Sequence, residues 1–297
     1  MQVHELVTER RNRATESLDT MSAFEIVAAM NREDAAVPRA IRRALPAIAQ
    51  AVDLVARQLA QGGRMIYVGS GTSGRIGALD ASECPPTFGV SSETVQFVIA
   101  GGERALTRAA EASEDSARLG RSDMAARRPG KHDVVVGIAA SGFTPYTISA
   151  LKYARSKGAA AIAVACNRNS ALGRAADLAI EIEVGPEVLA GSSRLKAGTA
   201  EKLICNMLTT GAMVRLGYVY SNLMVKMLLT NRKLRERGIV ILESLARVDR
   251  AHALKTLKEA GMSVPIALVM LKTQSSKSEA LRRLKKAKGN VRKAIEG

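Results

Sequence analysis

A short apolar run, Met65-Ile66-Tyr67-Val68, stops at Gly69-Ser70-Gly71-Thr72-Ser73-Gly74, and a segment of helical composition follows from Gly74 to Ser82. The pattern recurs further on. Asp133 to Ala139 is an apolar strand that runs into Ala140-Ser141-Gly142-Phe143-Thr144, and a helix is predicted over Pro145–Ser156. Strands that are apolar along their whole length are covered on both faces, and parallel strands need crossover helices to join them. The chain is therefore read as an α/β protein with a parallel sheet flanked by helices. Ligands in such folds bind beyond the carboxyl ends of the strands, where both hydroxyl-rich loops fall. Pro145 suits a first helical turn, with Thr144 as its N-cap.

The remaining elements are read from period and punctuation. Residues 1–35 are a polar arm, rich in Arg, that packs on something else. Ile41, Leu45, Ile48, Val52, Val55 and Leu59 follow helical spacing over Val37–Ala60, and Pro46 predicts a kink or restart within it. Thr94–Ala100, Ala160–Ala165 and Leu178–Val184 read as further strands, and Glu103–Leu119 has helical composition. One or two long helices rich in Leu and Met span 197–236, a stripe that reads as core or subunit interface. Gly238 marks a boundary, which gives a larger α/β domain over 1–238 and a small all-helical module over 239–297, with a turn at Gly289-Asn290.

Composition excludes several classes. The 297 residues include no Trp and only 3% aromatics, too few for a surface that stacks nucleic-acid bases. Of the net charge of +16, the stretch Lys272–Gly297 supplies nine basic and two acidic residues, and most of the remainder is scattered on helical faces. That distribution reads as solubility and attraction of anionic substrates, with no nucleic-acid partner. No apolar run approaches the ~20 residues a membrane span needs, and Met1-Gln2-Val3-His4-Glu5 lacks a signal-peptide pattern. Cys84, Cys166 and Cys205 lie far apart, as reduced thiols in a cytoplasmic protein would. No cluster has metal-ligand spacing, and His4, His132 and His252 are isolated, in surface or capping roles.

The hydroxyls of Ser70, Thr72, Ser73, Ser141 and Thr144, backed by N–H groups at helix starts, are suited to phosphate oxygens. Each alone would pass as an ordinary cap, whereas two such loops at two strand ends point to a ligand. Neither loop is a Walker A sequence nor a GxGxxG fingerprint, which argues against nucleotides. Glu83 precedes Cys84-Pro85-Pro86, a stretch expected to leave the helix and hold the carboxyl at a rigid, apolar turn. Such a setting raises a carboxyl pKa and suits a general acid. Glu111 reads as a solvated helical residue, while Glu114 is available as a second acid of opposite protonation role.

Three stretches carry a resemblance: Gly69–Gly89 (GSGTSGRIGALDASECPPTFG), Val134–Tyr146 (VVVGIAASGFTPY) and Glu187–Leu216 (EVLAGSSRLKAGTAEKLICNMLTTGAMVRL). The chain closely resembles the N-acetylmuramic acid 6-phosphate etherases along nearly its whole length, and the loops alone would resemble a sugar-isomerase-type (SIS) phosphosugar domain. The resemblance implies cleavage of the D-lactyl ether at C3 of N-acetylmuramic acid 6-phosphate, by elimination across C2–C3 and then hydration, with no metal or organic cofactor. It implies that Glu83 protonates the departing lactate oxygen and that Glu114 is the C2 base. Ser73, Ser141 and Thr144 match phosphosugar-binding positions, with Ser70 and Thr72 as neighbours; Lys196 and Glu201 fall in the shared helix motif and are expected to line the site. A homodimer and a tail of ubiquitin-associated (UBA) type are likewise implied. Phe143, Ser113 and Arg13 depart from the family pattern but leave both acids in place. A non-catalytic phosphosugar-sensing regulator, similar to glucokinase regulatory protein, is the alternative; that relative is longer, with a second SIS domain. A DNA-binding SIS regulator would need a helix-turn-helix before the sheet, where this chain has one helix and a polar arm.

Overall fold

The computed structural model describes residues 6–297, so His4 and the N-terminal pentapeptide lie outside the described residues. Two compact units divide the chain: one of 1–82 with 93–209, the other of 83–92 with 210–297.

The first unit begins with three 3-10 turns, Val7–Glu9, Arg13–Thr15 and Leu18–Thr20, followed by α1 (Ala23–Asp34). The polar arm is thus partly helical, and what it packs on is its own unit. Val7 N–H donates to Asn167 Oδ1 at 2.8 Å, and the Thr15 hydroxyl donates to the Val188 carbonyl at 2.8 Å. A capping box starts α1: Ser22 Oγ accepts from Glu25 N–H while the Glu25 carboxylate accepts from Ser22 N–H. Helix α2 (Ala36–Ala60) is continuous, burying Val37, Ile41, Ala44, Ile48, Ala51 and Val55 along one stripe. Pro46 causes no restart because it stands on the exposed side, where water replaces the hydrogen bond lost by the Arg42 carbonyl.

Strand β1 (Met65–Gly69) leads into α3 (Gly71–Phe88), β2 (Val95–Ile99), a 3-10 turn at Glu103–Leu106, α4 (Glu111–Glu114) and α5 (Ala117–Ala126). Then come β3 (Val134–Ile138), α6 (Pro145–Ser156), β4 (Ala160–Ala165), α7 (Ala171–Ala175), β5 (Leu178–Glu181) and α8 (Lys196–Arg215). The five strands pair in parallel in the order β2-β1-β3-β4-β5. Central β1 and β3 are buried at every position, whereas the edge strand β5 is only partly so.

Two expectations are corrected here. The segment 103–119 is broken into short pieces: Gly102 (φ 69°) precedes the 3-10 turn, and Ser116 starts α5 by accepting from Leu119 N–H at 3.2 Å. The other concerns Pro85-Pro86, which do not end α3. Both occupy its last turn, where their fixed φ suits a helix and only the carbonyls of Ala81 and Ser82 lose a donor. The end comes at Gly89 (φ 66°), whose N–H donates to the Pro85 carbonyl at 2.9 Å.

The second unit is helical: α9 (Arg232–Ala246), α10 (Arg250–Glu259), α11 (Val264–Thr273), α12 (Lys277–Lys286) and α13 (Val291–Glu296). Ile241, Leu242, Leu257, Val264, Leu268 and Val291 are buried in one apolar cluster. Gly238 lies inside α9, buried against Leu229 and Val264. Asn290 caps α13 by accepting from Lys293 N–H at 3.0 Å, immediately after Gly289 at φ 79°. Among the described residues no helix is long and apolar enough to cross a membrane.

Candidate functional site

Strand order changes direction at β1: β2 lies on one side of it and β3 on the other. The carboxyl ends of β1 and β3 therefore bound a crevice at the switch point. A cavity of about 450 Å³ opens there, lined by residues of the first unit only, among them Ser70, Thr72, Ser73, Glu114, Ser141 and Thr144. The crevice thus gathers the five predicted hydroxyls and Glu114; Lys196 and Glu201 are buried and do not line it, and Glu83 belongs to the second unit and stands exposed near the end of α3. The apolar enclosure expected around Glu83 is absent: its neighbour Cys84 is buried, but the carboxylate side is open to solvent. His132 is half-buried and His252 exposed, and neither lines the crevice.

The first loop gains its shape from glycine. Gly71 adopts φ 50°, and a Cβ at Gly74 would stand 2.6 Å from the Ile99 side chain, so α3 could not approach the sheet this closely. The first hydrogen bond of α3 runs from Gly74 N–H to the Ser70 carbonyl at 3.0 Å. The N–H groups of Gly71, Thr72 and Ser73 precede that ladder, beside the hydroxyls of Ser70, Thr72 and Ser73. In the second loop Ser141 Oγ accepts from Phe143 N–H at 3.2 Å. Thr144 holds the N-cap position of α6 but caps nothing with its side chain; its hydroxyl donates instead to Glu114 Oε1 at 3.3 Å. Pro145 suits the first turn, where its missing N–H costs no helical hydrogen bond. Arg75 adds a cation to the wall, held by the carbonyls of Ala105 and Arg108 at 2.9 and 3.0 Å.

Buried polar groups fix this wall from behind. Ser73 Oγ donates to Glu201 Oε1 at 2.8 Å, and burial pushes the Glu201 carboxyl up to about 8 although the serine bond opposes it. Glu187 accepts from the N–H groups of Lys196 and Ala197 at 3.0 and 2.9 Å, anchoring the start of α8; burial raises its carboxyl against those bonds. Lys196 Nζ meets Glu33 Oε2 at 2.5 Å, and Asn12 donates to the same oxygen at 2.9 Å. Burial acts to raise the Glu33 carboxyl, but the bonds from Lys196 and Asn12 outweigh it and the net shift is downward. Lys196 is therefore spent on the N-terminal arm. Asp80, in the Asp80-Ala81-Ser82-Glu83 run, accepts from Tyr67 Oη, Asn206 and Thr209 at 2.8, 2.6 and 3.3 Å, a structural task.

Sequence reasoning missed Asn167, which is 3% exposed and donates to Thr8 Oγ1 and to the carbonyls of Ala140 and Ser141 at 3.2, 3.2 and 3.3 Å. It ties the N-terminal segment, including crevice-lining Glu9, to the second loop. Its position just beyond β4, at a strand's carboxyl end, was the available signal. Glu33 and Glu187 were missed as well, and no spacing in the sequence marks either. Among the described residues no group of His, Cys, Asp and Glu side chains is placed to hold a metal ion.

A parallel sheet in this strand order, with a hydroxyl-lined crevice at its switch point, is the architecture of an SIS-type domain. Residues 47–155 match the family model of the glucokinase regulatory protein N-terminal SIS domain, and residues 121–211 match that of the SIS domain. A phosphoheptose isomerase from Francisella tularensis has the same fold, with TM-score 0.51 and 20% identity over 65% of this chain and 100% of that one. So has an Escherichia coli protein solved as a ligand complex, with TM-score 0.50 and 20% identity over 68% of this chain and 97% of that one. Relatives of full length specify the family. An N-acetylmuramic acid 6-phosphate etherase from Halalkalibacterium halodurans is 51% identical over 98% of this chain and 97% of its own length. Those of Serratia proteamaculans and Oenococcus oeni are 50% and 49% identical, each over 99% of both chains. The chain belongs to the N-acetylmuramic acid 6-phosphate etherase family.

Proposed function

We propose that the protein cleaves the D-lactyl ether of N-acetylmuramic acid 6-phosphate, giving N-acetylglucosamine 6-phosphate and D-lactate, in the recycling of cell-wall amino sugars. The observation that carries this reading is a carboxylate, Glu114, held by Thr144 on the wall of a crevice whose loops suit a phosphate. Ser70, Thr72, Ser73 and Ser141, with the N–H groups starting α3, bind the 6-phosphate, and Thr144 completes the sugar site through the Glu114 carboxylate that its hydroxyl holds. In the open-chain sugar the C1 aldehyde acidifies the C2 proton, which Glu114 removes. The C3–O bond breaks as the C2–C3 double bond forms, and the departing lactate oxygen takes up a proton, a role that the family resemblance gives to Glu83 although that residue does not line the crevice. Water then adds across the double bond, its hydroxyl to C3 and a proton to C2. Carboxylates suffice for this chemistry, and the reading invokes no cofactor.

The same reading makes the protein a cytoplasmic homodimer, with a catalytic domain over 1–238 and a UBA-type helical packing module over 239–297. Two measurements test it. Glu83→Ala and Glu114→Ala are each expected to lower lactate release by about a hundredfold to ten-thousandfold, the range for lost acid–base groups, while melting with the wild-type transition. Turnover in deuterated water is expected to leave deuterium at C2 of the product. Lactate without C2 label would mean direct displacement at C3. No lactate at all, with phosphosugar still bound, would favour the non-catalytic sensor, for which the loops alone would serve.

A further inference from the structure

The crevice wall contains a carboxyl group that the proposed etherase chemistry does not use. Ser73, which lines the crevice, donates its hydroxyl proton to Glu201 Oε1 at 2.8 Å. Glu201 is 1% exposed, and its second oxygen, Oε2, has no hydrogen-bond partner among the described residues. A buried carboxylate with one oxygen unsatisfied is costly to leave charged. The groups facing it do not offset that cost. Cys166, just past β4, and Cys205, on α8, are buried thiols pushed well up by burial, with the charge of Glu201 contributing to both. Asp80 and Glu187 bring further negative charge to those thiols, while Lys196, at the start of α8, is paired with Glu33. Arg75 and Glu114 line the crevice beyond Ser73, and the Arg75 guanidinium is held by the carbonyls of Ala105 and Arg108.

The proton on Glu201 decides which way the Ser73 hydroxyl points. With the carboxylate ionised, Ser73 commits its single proton to Oε1 and turns its lone pairs to the crevice, where they repel an anion. With the acid protonated, Glu201 donates to Ser73 Oγ, and the serine proton is free for an acceptor in the crevice. We infer that Glu201 is a positioning residue which, as the neutral acid, turns the Ser73 hydroxyl toward a bound phosphate ester, so that the ester is held tightly only while Glu201 keeps its proton. The inference rests on the phosphosugar reading of the crevice.

Calorimetric titration of the full-length protein with N-acetylglucosamine 6-phosphate tests it. With the Glu201 carboxyl pushed up to about 8, wild-type affinity at about pH 9.5 should be roughly thirtyfold weaker than at about pH 7, because only the protonated fraction is competent. At about pH 8.5 binding should take up most of one proton, seen as a binding enthalpy that depends on the buffer. Glu201→Gln, an isostere whose amide can donate to Ser73 without titrating, should lose this alkaline weakening and bind at least tenfold more tightly than wild type at about pH 9.5. Wild-type binding without proton uptake overturns the inference whether or not the variant folds, and so does an unchanged alkaline limb in folded Glu201→Gln. In both cases the phosphosugar reading stands. A wild-type protein that binds no phosphosugar at any pH overturns that reading and the inference together.

Discussion

Thr144 stands at the cap of α6 but spends its hydroxyl on Glu114, 30 residues away in sequence. Local chemistry marks such a residue as a helix start, and the fold then diverts it to the crevice. Glu201 makes the opposite case, an acid placed where its charge is disfavoured. Its stability consequence has a definite sign. The unfolded chain releases this proton near the ordinary value of 4.5, while the folded protein holds it to about 8. Unfolding between those values therefore releases a proton, and stability falls as pH rises through the interval, reaching its floor above about 8. Glu201→Gln removes this slope. Urea midpoints of variant and wild type should diverge steadily from about pH 5 to about pH 8, the variant gaining relative to wild type; midpoints that stay parallel across the range would show that the acid is not held neutral.

Elements differ in how much of their identity is local. Helix α6 and strand β4 have the bounds that composition predicts, because an apolar run or a Pro-led amphipathic segment is marked by its own residues. Proline is a weaker breaker than its sequence position suggests, since Pro46 on an exposed face and Pro85-Pro86 in a last turn cost few hydrogen bonds. Helix α1 escapes a reading by composition, although Ser22 and Glu25 mark its start by capping-box spacing. Packing between elements has its own control point at Gly120. A Cβ there would lie 2.1 Å from the Tyr146 carbonyl oxygen, a backbone atom that cannot swing aside, so α5 reaches α6 only through glycine. Gly120→Ala should cost about 1–3 kcal/mol or more through overpacking, despite the better helix propensity of Ala. Thermal unfolding reads this directly; a stabilised variant would mean that α5 moves freely.

At the scale of the molecule, the formal charge of +16 acts on any anionic substrate before contact. If the substrate is a sugar phosphate, kcat/KM should drop roughly threefold to tenfold as ionic strength rises from about 0.02 to 0.2 M, since screening shortens the field to about the Debye length. A rate indifferent to salt would show that the excess charge faces away from the crevice. The charge, the strand–loop–helix alternation and the two hydroxyl loops were all legible in the sequence, because each depends on neighbours within a few residues. The tertiary structure alone decided that β1 pairs with both β2 and β3, which sets the two loops on one crevice. It also decided that Ser73 meets Glu201 across 128 positions, and that Asn167 fastens the arm to the second loop across 159. Strand order and buried polar pairing follow from which surfaces pack together. Packing is a property of distant residues jointly, so it has no signature in any single stretch of chain.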